Sequence, residues 1–167
     1  MITIIDYGIG NIGSLVNMLK KIGFQSIVTS DISLINKAHK IILPGVGSFD
    51  SAMSKINNIS GLRETITYLA NSNKIPILGI CLGMQLLTTK SEEGTLSGLN
   101  LINAKTLKFP ENQNVKVPHM GWNTVKPMNN NRLVHNIKSE LKFYFVHSYY
   151  VSVSNKKNIS MVTQHGF

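Results

Sequence analysis

Residues 75–85 read Ile75-Pro76-Ile77-Leu78-Gly79-Ile80-Cys81-Leu82-Gly83-Met84-Gln85, an apolar run that passes into a Gly-x-Cys-x-Gly turn. This pattern predicts a buried strand that meets a helix, and it is the cysteine form of the elbow that presents a nucleophile. The sharp turn holds the central residue in a strained backbone conformation, and the flanking glycines avoid clashes with the neighbouring strand and helix. We therefore expect Cys81 at the carboxyl end of a strand, above the first turn of a helix.

Cys81 is the only cysteine of the 167 residues, so the sequence predicts neither an internal disulfide nor a cysteine-built metal site. Free N–H groups at the start of the following helix would stabilise negative charge on the sulfur, or on the oxygen of an acyl-transfer intermediate. A lone cysteine is also commonly a small buried hydrophobic residue. Its place between a strand and a helix favours a nucleophile over that alternative.

Outward from this turn, short apolar runs alternate with amphipathic stretches, which predicts α/β layering. In the first half the predicted strands cover residues 2–5, 26–29, 40–43 and 74–80. The predicted helices cover residues 12–22, 49–56, 62–70 and 84–89. After Gly98 the β-prone segments are 99–109, 122–126, 142–153 and 159–163. The expected fold is a doubly wound, mostly parallel sheet with antiparallel strands added in the second half.

A second glycine loop, Pro44-Gly45-Val46-Gly47, ends another predicted strand. If the two strands are parallel neighbours, this loop lies beside Cys81 at the carboxyl edge of the sheet, where such folds bind ligands. An ordinary strand-to-helix turn capped by Ser48 is the simpler alternative. A third loop, Asp6-Tyr7-Gly8-Ile9-Gly10-Asn11, contains a Gly-x-Gly pair, and we do not expect a dinucleotide site there.

The charge is strongly basic, with 17 Lys and Arg against 8 Asp and Glu, a formal net charge of +9. The basic residues are scattered and not interleaved with aromatic residues, so we expect no nucleic-acid partner, and a solvated surface or an acidic protein partner fits better. No apolar run approaches the roughly 20 residues that span a bilayer. The first residues lack the basic region of a secretory signal. A reduced, cytoplasmic, single-domain protein without membrane contact is expected.

Two further motifs occur in the second half: Val117-Pro118-His119-Met120-Gly121-Trp122-Asn123 and Tyr144-Phe145-Val146-His147-Ser148-Tyr149. Together with the three loops, they resemble class I, triad-type glutamine amidotransferases, and most closely the glutaminase subunits of imidazole glycerol phosphate synthase. The motifs extend from residue 6 to residue 149. The resemblance implies one amidotransferase domain over residues 1–167, with a flavodoxin-like fold, no cofactor and no metal.

The resemblance also implies a mechanism, in which the Cys81 thiolate attacks the side-chain amide of glutamine, forms a thioester and releases ammonia. The implied oxyanion-hole and glutamine-binding residues are Gly45, Val46, Gly47, Leu82, Gln85, His147, Ser148 and Tyr149. Ammonia would pass to a barrel-shaped cyclase subunit in a heterodimer that serves histidine biosynthesis. The implied docking residues are Asn11, Pro118, His119, Met120, Gly121, Trp122 and Asn123. Core packing of Met120 and Trp122, and capping of the first helix by Asn11, are equally good explanations.

The family's His-Pro-Glu motif, which supplies the base and its orienting carboxylate, does not occur in the 167 residues. For all five histidines we prefer a role other than the base, which stays unassigned: His39, His119, His135, His147 and His165. We expect a domain truncated at its C-terminus and, if the 167 residues are the whole polypeptide, no turnover of glutamine. Two alternatives stay open: a related amidotransferase that supplies a sugar-aminating enzyme of surface polysaccharide synthesis, and a non-catalytic partner-binding subunit.

Overall fold

The protein is described here by a computed structural model that covers residues 1–110, 115–128, 133–134 and 140–166. Its first half contains a parallel four-stranded sheet in the order β2-β1-β3-β4. The strands are β1 (Ile2–Ile5), β2 (Ser26–Thr29), β3 (Ile41–Leu43) and β4 (Ile77–Gly79). This order is that of a doubly wound sheet, which places a crevice at the carboxyl ends of β1 and β3.

Helices cover both faces of this sheet, as the alternation of strand side chains requires. The helices are α1 (Ile12–Lys21), α2 (Ile32–Ile35), α3 (Phe49–Asn58), α4 (Leu62–Asn71) and α5 (Leu82–Leu86). Ile4 and Ile42 face α1 and pack with Leu19, whereas Ile5 and Leu43 belong to the larger core on the opposite face. α3 contributes to that larger core the buried side chains at helical spacing that the sequence predicts, namely Phe49, Ala52, Met53 and Ile56.

The second half forms two three-stranded sheets, in the orders β5-β6-β9 and β10-β7-β8. Their strands are β5 (Lys90–Ser91), β6 (Ala104–Lys108), β7 (His119–Pro127), β8 (Leu141–His147), β9 (Tyr149–Val153) and β10 (Met161–Val162). The pairs β7–β8, β6–β9 and β7–β10 are antiparallel. The expectation of antiparallel structure added to a parallel half is confirmed.

Several local expectations differ from the structure. The strand predicted over residues 99–109 is the shorter β6, and β5 was not predicted. The predicted strand over residues 142–153 is divided at Ser148, because β8 pairs with β7 and β9 pairs with β6. The helix predicted over residues 84–89 is the shorter and earlier α5, since Thr89 already donates its N–H to the Ala104 carbonyl at 2.9 Å. α2 was not predicted; Asp31 caps it through a 2.7 Å hydrogen bond from the Ser33 N–H. No helix in the described ranges is both long and apolar enough to cross a bilayer.

Candidate active site

The elbow between β4 and α5 holds Cys81 at φ 54° and ψ −118°, and Cys81 is exposed to solvent. Such a conformation is costly for any residue other than glycine, and it persists where the surrounding structure enforces it. The enforcement comes from the flanking glycines. A Cβ atom on Gly79 would lie 2.6 Å from the Gly83 carbonyl oxygen, and one on Gly83 would lie 1.9 Å from the Leu43 carbonyl oxygen. Close contact between strand and helix thus explains the Gly-x-Cys-x-Gly pattern.

The second glycine loop lies directly against this elbow. A Cβ atom on Gly45 would lie 2.5 Å from the Gly83 nitrogen and 2.9 Å from the Leu82 Cβ. β3 and β4 are parallel neighbours, so the loop after β3 and the elbow after β4 meet at one edge of the sheet. Gly47 has φ +92°, which favours glycine, and open space surrounds it. The structure therefore brings the two loops together.

Several main-chain N–H groups at this edge have no acceptor among the residues that the structure describes. They include the N–H groups of Val46, Gly47 and Leu82. The next amide of the elbow is used internally, since the Gly83 N–H donates to the Ile80 carbonyl at 2.9 Å. Free N–H groups beside a nucleophile are the donors that stabilise an oxyanion in acyl transfer.

Tyr7, which the sequence analysis did not identify as a site residue, holds the loop Pro44-Gly45-Val46-Gly47 through a hydrogen bond. Its hydroxyl donates a hydrogen bond to the Pro44 carbonyl, and its side chain is only 3% exposed. Burial raises the pKa of Tyr7 far above its ordinary value, which keeps the hydroxyl a donor. Gly10 also packs on Pro44, with a Cβ position 2.8 Å from the Pro44 Cβ. The available sequence signal was a tyrosine that directly precedes the glycines of the first loop, close to the end of a buried strand.

The first loop also carries a spacing that our expectation overlooked, because Gly13 completes a Gly-x-Gly-x-x-Gly motif with Gly8 and Gly10. In a dinucleotide site such glycines approach a pyrophosphate, and an acid after the next strand binds ribose. Here Gly10 packs on Pro44 instead, and Asp31, the acid after β2, caps α2. The loop therefore helps to build the edge that holds Cys81.

Gln85, on α5, has a side-chain oxygen that is buried and accepts no hydrogen bond from the described residues. Burial of an amide oxygen without a partner costs about 1–3 kcal/mol. A ligand that carries an N–H or ammonium donor would remove that cost. This is the position at which the family is expected to hold the amino-acid end of glutamine.

The segment from His147 to Tyr149 is the crossing from β8 to β9, and therefore from one sheet to the other. The Ser148 carbonyl accepts a hydrogen bond from the Phe109 N–H at 3.2 Å. His147 Nδ1 lies 2.7 Å from the Tyr149 carbonyl oxygen. Within the described ranges no hydrogen bond joins this segment to the Cys81 elbow, so its role in glutamine binding stays a prediction.

Three histidines are brought together by the strands of the second half and the segment after β10. His119 Nδ1 lies 2.9 Å from His147 Nε2, and the His165 ring stacks on His119 with centroids 4.0 Å apart. Burial, then the charges of His165 and His147, lower the pKa of His119. One further histidine, His39, is exposed before β3, and His135 lies outside the described residues. In the described part of the chain none donates to or accepts from the Cys81 sulfur, so no base is assigned.

The docking motif has two different faces, because neighbouring residues of a strand point in opposite directions. Met120 pairs with Val146 and Trp122 pairs with Tyr144, and all four side chains are more than half exposed. We call these four residues the outer face. His119 is 4% exposed and points inward. Tyr144 and Val146 were absent from the expected docking set, although alternation along the segment 143–147 would have indicated them.

The other expected docking residues have mixed surroundings. Asn11 caps α1, since its side chain accepts a hydrogen bond from the Ser14 N–H at 3.2 Å, and the capping explanation is therefore confirmed. Gly121 has φ +123° within β7, and Pro118 precedes the strand. No cluster of metal-ligating residues is present in the described ranges.

The chain thus carries an exposed, strained cysteine at a strand-to-helix elbow, beside a glycine loop in a doubly wound sheet, which is the arrangement of a nucleophile elbow. Residues 3–166 match the family model for class I glutamine amidotransferases, and this chain belongs to that family. It is similar to a solved glutamine amidotransferase from Thermotoga maritima, with a TM-score of 0.59 and 14% identity over 91% of this chain and 62% of the other, which supports the fold.

Two of the similar relatives are named as subunits of imidazole glycerol phosphate synthases. The chain is 55% identical to imidazole glycerol phosphate synthase subunit HisH 2 of Methanococcus maripaludis, over 99% of this chain and 81% of the relative. It is 44% identical to subunit HisH 1 of the same organism, over 100% of this chain and 82% of the relative. The resemblance inferred from the motifs is confirmed.

Proposed function

We propose that this chain is the glutaminase subunit of an imidazole glycerol phosphate synthase, working in the reducing interior of the cell. The observation that carries the proposal is the exposed Cys81, held in a strained elbow against the glycine loop, where the N–H groups of Val46, Gly47 and Leu82 have no acceptor among the described residues. High identity to HisH subunits over nearly the whole chain supports the choice of synthase.

In the proposed reaction, the Cys81 sulfur adds to the side-chain carbonyl carbon of glutamine, and the carbonyl oxygen takes the negative charge. We propose the N–H groups of Val46, Gly47 and Leu82, which have no acceptor among the described residues, as the donors to this charge. The carbon–nitrogen bond then breaks, the nitrogen takes a proton, and ammonia leaves behind a γ-glutamyl thioester. Water cleaves the thioester to glutamate and the free thiol. Gln85, on the helix that follows Cys81, is the residue that we propose for the amino-acid end of the substrate.

The protonation steps need a base and an orienting carboxylate, and neither is assigned among the described residues. No His-Pro-Glu sequence occurs in the 167 residues. We therefore propose that this 167-residue polypeptide, assayed by itself, forms the γ-glutamyl thioester at Cys81 but does not release glutamate over repeated cycles.

The outer face is the proposed docking surface for the barrel-shaped cyclase subunit. Trp122 is 73% exposed and stands edge-on to Tyr144 at a ring-centroid distance of 5.8 Å. Exposed aromatic side chains in a contiguous apolar patch are typical anchors of protein interfaces. Ammonia released at the edge of the parallel sheet would reach the cyclase through the assembled interface.

A second candidate keeps the same half-reaction with another acceptor, a sugar-aminating enzyme of surface polysaccharide synthesis. One observation favours it: the chain is more similar to the second HisH of Methanococcus maripaludis than to the first. An organism with two copies can use one of them outside histidine biosynthesis. Both candidates use Cys81.

The test is covalent labelling of Cys81 by a glutamine-like chloroketone, followed by mass spectrometry, with and without a cyclase subunit. We expect labelling that L-glutamine suppresses, that Cys81→Ser abolishes and that the cyclase accelerates. Iodoacetamide, which needs only an exposed thiolate, is the control for accessibility. Chloroketone labelling that L-glutamine leaves unchanged would refute the glutaminase site.

Replacing the cyclase by a sugar-aminating enzyme separates the two acceptors. Acceleration by that enzyme alone would favour the second candidate. Tight binding of a cyclase to a chain whose Cys81 never reacts would support the non-catalytic partner-binding subunit instead.

A further inference from the structure

Three polar side chains of the second half form a hydrogen-bonded series that ends on two main-chain carbonyl groups. Asn123 Nδ2 donates to the Gln164 carbonyl at 3.0 Å and lies 3.2 Å from His119 Nε2. His119 Nδ1 lies 2.9 Å from His147 Nε2, and His147 Nδ1 lies 2.7 Å from the Tyr149 carbonyl oxygen. We call Asn123, His119 and His147 the histidine relay.

Each proton of the relay has one consistent position. The Tyr149 carbonyl only accepts, so His147 carries its proton on Nδ1 and presents Nε2 as an acceptor. His119 then donates from Nδ1 and accepts at Nε2 from the amide of Asn123. The orientation of that amide is fixed separately, because the Thr124 N–H donates to Asn123 Oδ1 at 2.8 Å. Both imidazole rings are therefore neutral and carry their proton on Nδ1.

A proton added to either ring would set two donors face to face and break one bond of the relay. At His119 the neighbouring groups also disfavour an added proton. His165 stacks on His119 and donates from Nε2 to the Lys116 carbonyl at 2.7 Å, and Tyr150 lines the same cavity of about 100 Å³. None of these groups is a carboxylate, and burial together with His165 and His147 lowers the pKa of His119.

The relay joins two parts of the proposed site that lie on different strands. β7 carries Met120 and Trp122 on the outer face, and it carries His119 and Asn123 among its inward-facing residues. At its other end the relay reaches Tyr149, the first residue of β9 and part of the segment expected to hold glutamine. One strand thus contacts solvent on one side and the glutamine segment on the other.

We propose that His119 and Asn123 are positioning residues that hold the segment from His147 to Tyr149 in its glutamine-binding conformation and couple it to the docking strand. This inference rests on the proposed function, because it assumes that the segment binds glutamine. It adds that the inward half of the docking motif acts on substrate affinity and not on contact with the partner.

The test measures glutamine affinity without requiring turnover. Cys81 of the 167-residue chain is alkylated with iodoacetamide at increasing L-glutamine, and the concentration that halves the rate is determined. Asn123→Ala and His119→Leu each interrupt the relay, and we expect the half-protective concentration to rise roughly fivefold to tenfold, the effect of losing a typical hydrogen bond. The alkylation rate without glutamine should stay unchanged, since Cys81 lies on another sheet.

Two matched variants separate positioning from general structural damage. His119→Gln keeps a donor and an acceptor at comparable separation, and we expect it to retain most of the affinity that His119→Leu loses. Asn158→Ala removes an exposed asparagine beyond β9 and should leave protection unchanged. In nitrogen-correlated NMR spectra at neutral pH, His119 and His147 should both show the Nδ1–H tautomer.

The outcomes distinguish the two proposals. If glutamine protects Cys81 equally well in the unsubstituted chain, in Asn123→Ala and in His119→Leu, the positioning role is overturned. The proposal of a glutaminase site then stands. An Nε2–H tautomer at either ring overturns the relay itself. If glutamine gives no protection to the unsubstituted chain, the proposed function fails, and the positioning role fails with it.

Discussion

A Cβ atom added to Gly83 would lie 1.9 Å from the carbonyl oxygen of Leu43, so the helix that follows Cys81 touches the main chain of the neighbouring strand. The Leu43 carbonyl also accepts the Ile80 N–H at 3.0 Å, which ties the elbow to β3 from the strand side. Because β3 runs on into the glycine loop, this contact fixes the distance between the nucleophile and the proposed oxyanion donors.

Gly83→Ala should therefore separate α5 from β3. We expect a loss of about 1–3 kcal/mol in the free energy of unfolding, as for overpacked cores, together with a clear fall in chloroketone labelling of Cys81. Urea unfolding and mass spectrometry measure the two effects. Gly13→Ala is the control, because it lies in α1 with no atom near its Cβ position. That variant should be about 0.5–1 kcal/mol more stable, and equal stability of both variants would contradict the packing argument.

The backbone strain at Cys81 predicts that its function costs stability. Cys81→Gly removes the side chain that disfavours φ 54°, whereas Cys81→Ala keeps a Cβ atom in the same conformation. Strained residues of this kind lower the free energy of unfolding by about 1–3 kcal/mol. Glycine relieves this strain, but part of the gain is lost because glycine raises the conformational entropy of the unfolded chain. We expect Cys81→Gly to unfold at higher urea than Cys81→Ala. Identical midpoints would show that the elbow is not strained.

The sequence predicted the elbow well because its requirements are local: a buried strand, a helix and two glycines within a few residues of Cys81. The pairing of His119 with His147 could not be predicted in this way, since it depends on the β7–β8 register between residues 28 positions apart in the chain. The prediction of one continuous strand over residues 142–153 missed the break at Ser148 for the same reason. No glycine or proline marks the break, and only the choice of partner strands creates it.

Asp50 predicts a dependence of stability on acid pH. Hydrogen bonds from the Thr95 and Leu96 N–H groups lower the pKa of Asp50 in the folded protein. Its stabilising contribution is therefore fully present above the unfolded-state pKa and is lost as pH falls through the folded-state value. Asp50→Asn should lower the urea midpoint at neutral pH and flatten its decline in acid, measured from about pH 6 to about pH 2.

The matched control for Asp50 is Glu64→Gln, in the first turn of α4. Glu64 is exposed and accepts no hydrogen bond from the residues that the structure describes. Its replacement should leave the slope of stability against pH nearly parallel to that of the unsubstituted chain. A flattened acid limb in Glu64→Gln but not in Asp50→Asn would contradict the assignment.

Trp122 predicts the strength of the docking surface. Truncation of a central interface aromatic side chain typically costs at least about 2 kcal/mol of binding free energy, roughly thirtyfold in the dissociation constant. We expect Trp122→Ala to weaken binding of the cyclase subunit by that factor, measured by calorimetry, without changing glutamine protection of Cys81. Phe24→Ala removes another exposed aromatic residue, which lies between α1 and β2 and not on the outer face, and should bind the cyclase normally. Equal affinities of the two variants would place the interface elsewhere.

Tyr7 predicts that the glycine loop depends on one buried hydroxyl. In Tyr7→Phe the Pro44 carbonyl loses its donor while the ring still fills the core, so we expect a loss of about 1–3 kcal/mol in stability. The loop that presents Val46 and Gly47 should also become less ordered, because its first residue is no longer held. Chloroketone labelling should then slow more than iodoacetamide labelling, since only the former develops charge on an oxygen next to the loop.

Tyr68→Phe provides the control for the loss of a hydroxyl group, because Tyr68 is 56% exposed on α4 and lies outside the elbow. Its stability and both labelling rates should match those of the unsubstituted chain. If Tyr7→Phe lowers the urea midpoint but slows the two reagents equally, the hydroxyl stabilises the core without shaping the oxyanion donors. If the ratio of chloroketone to iodoacetamide labelling rates falls in Tyr7→Phe and not in Tyr68→Phe, the hydrogen bond between Tyr7 and Pro44 contributes to the chemistry at Cys81.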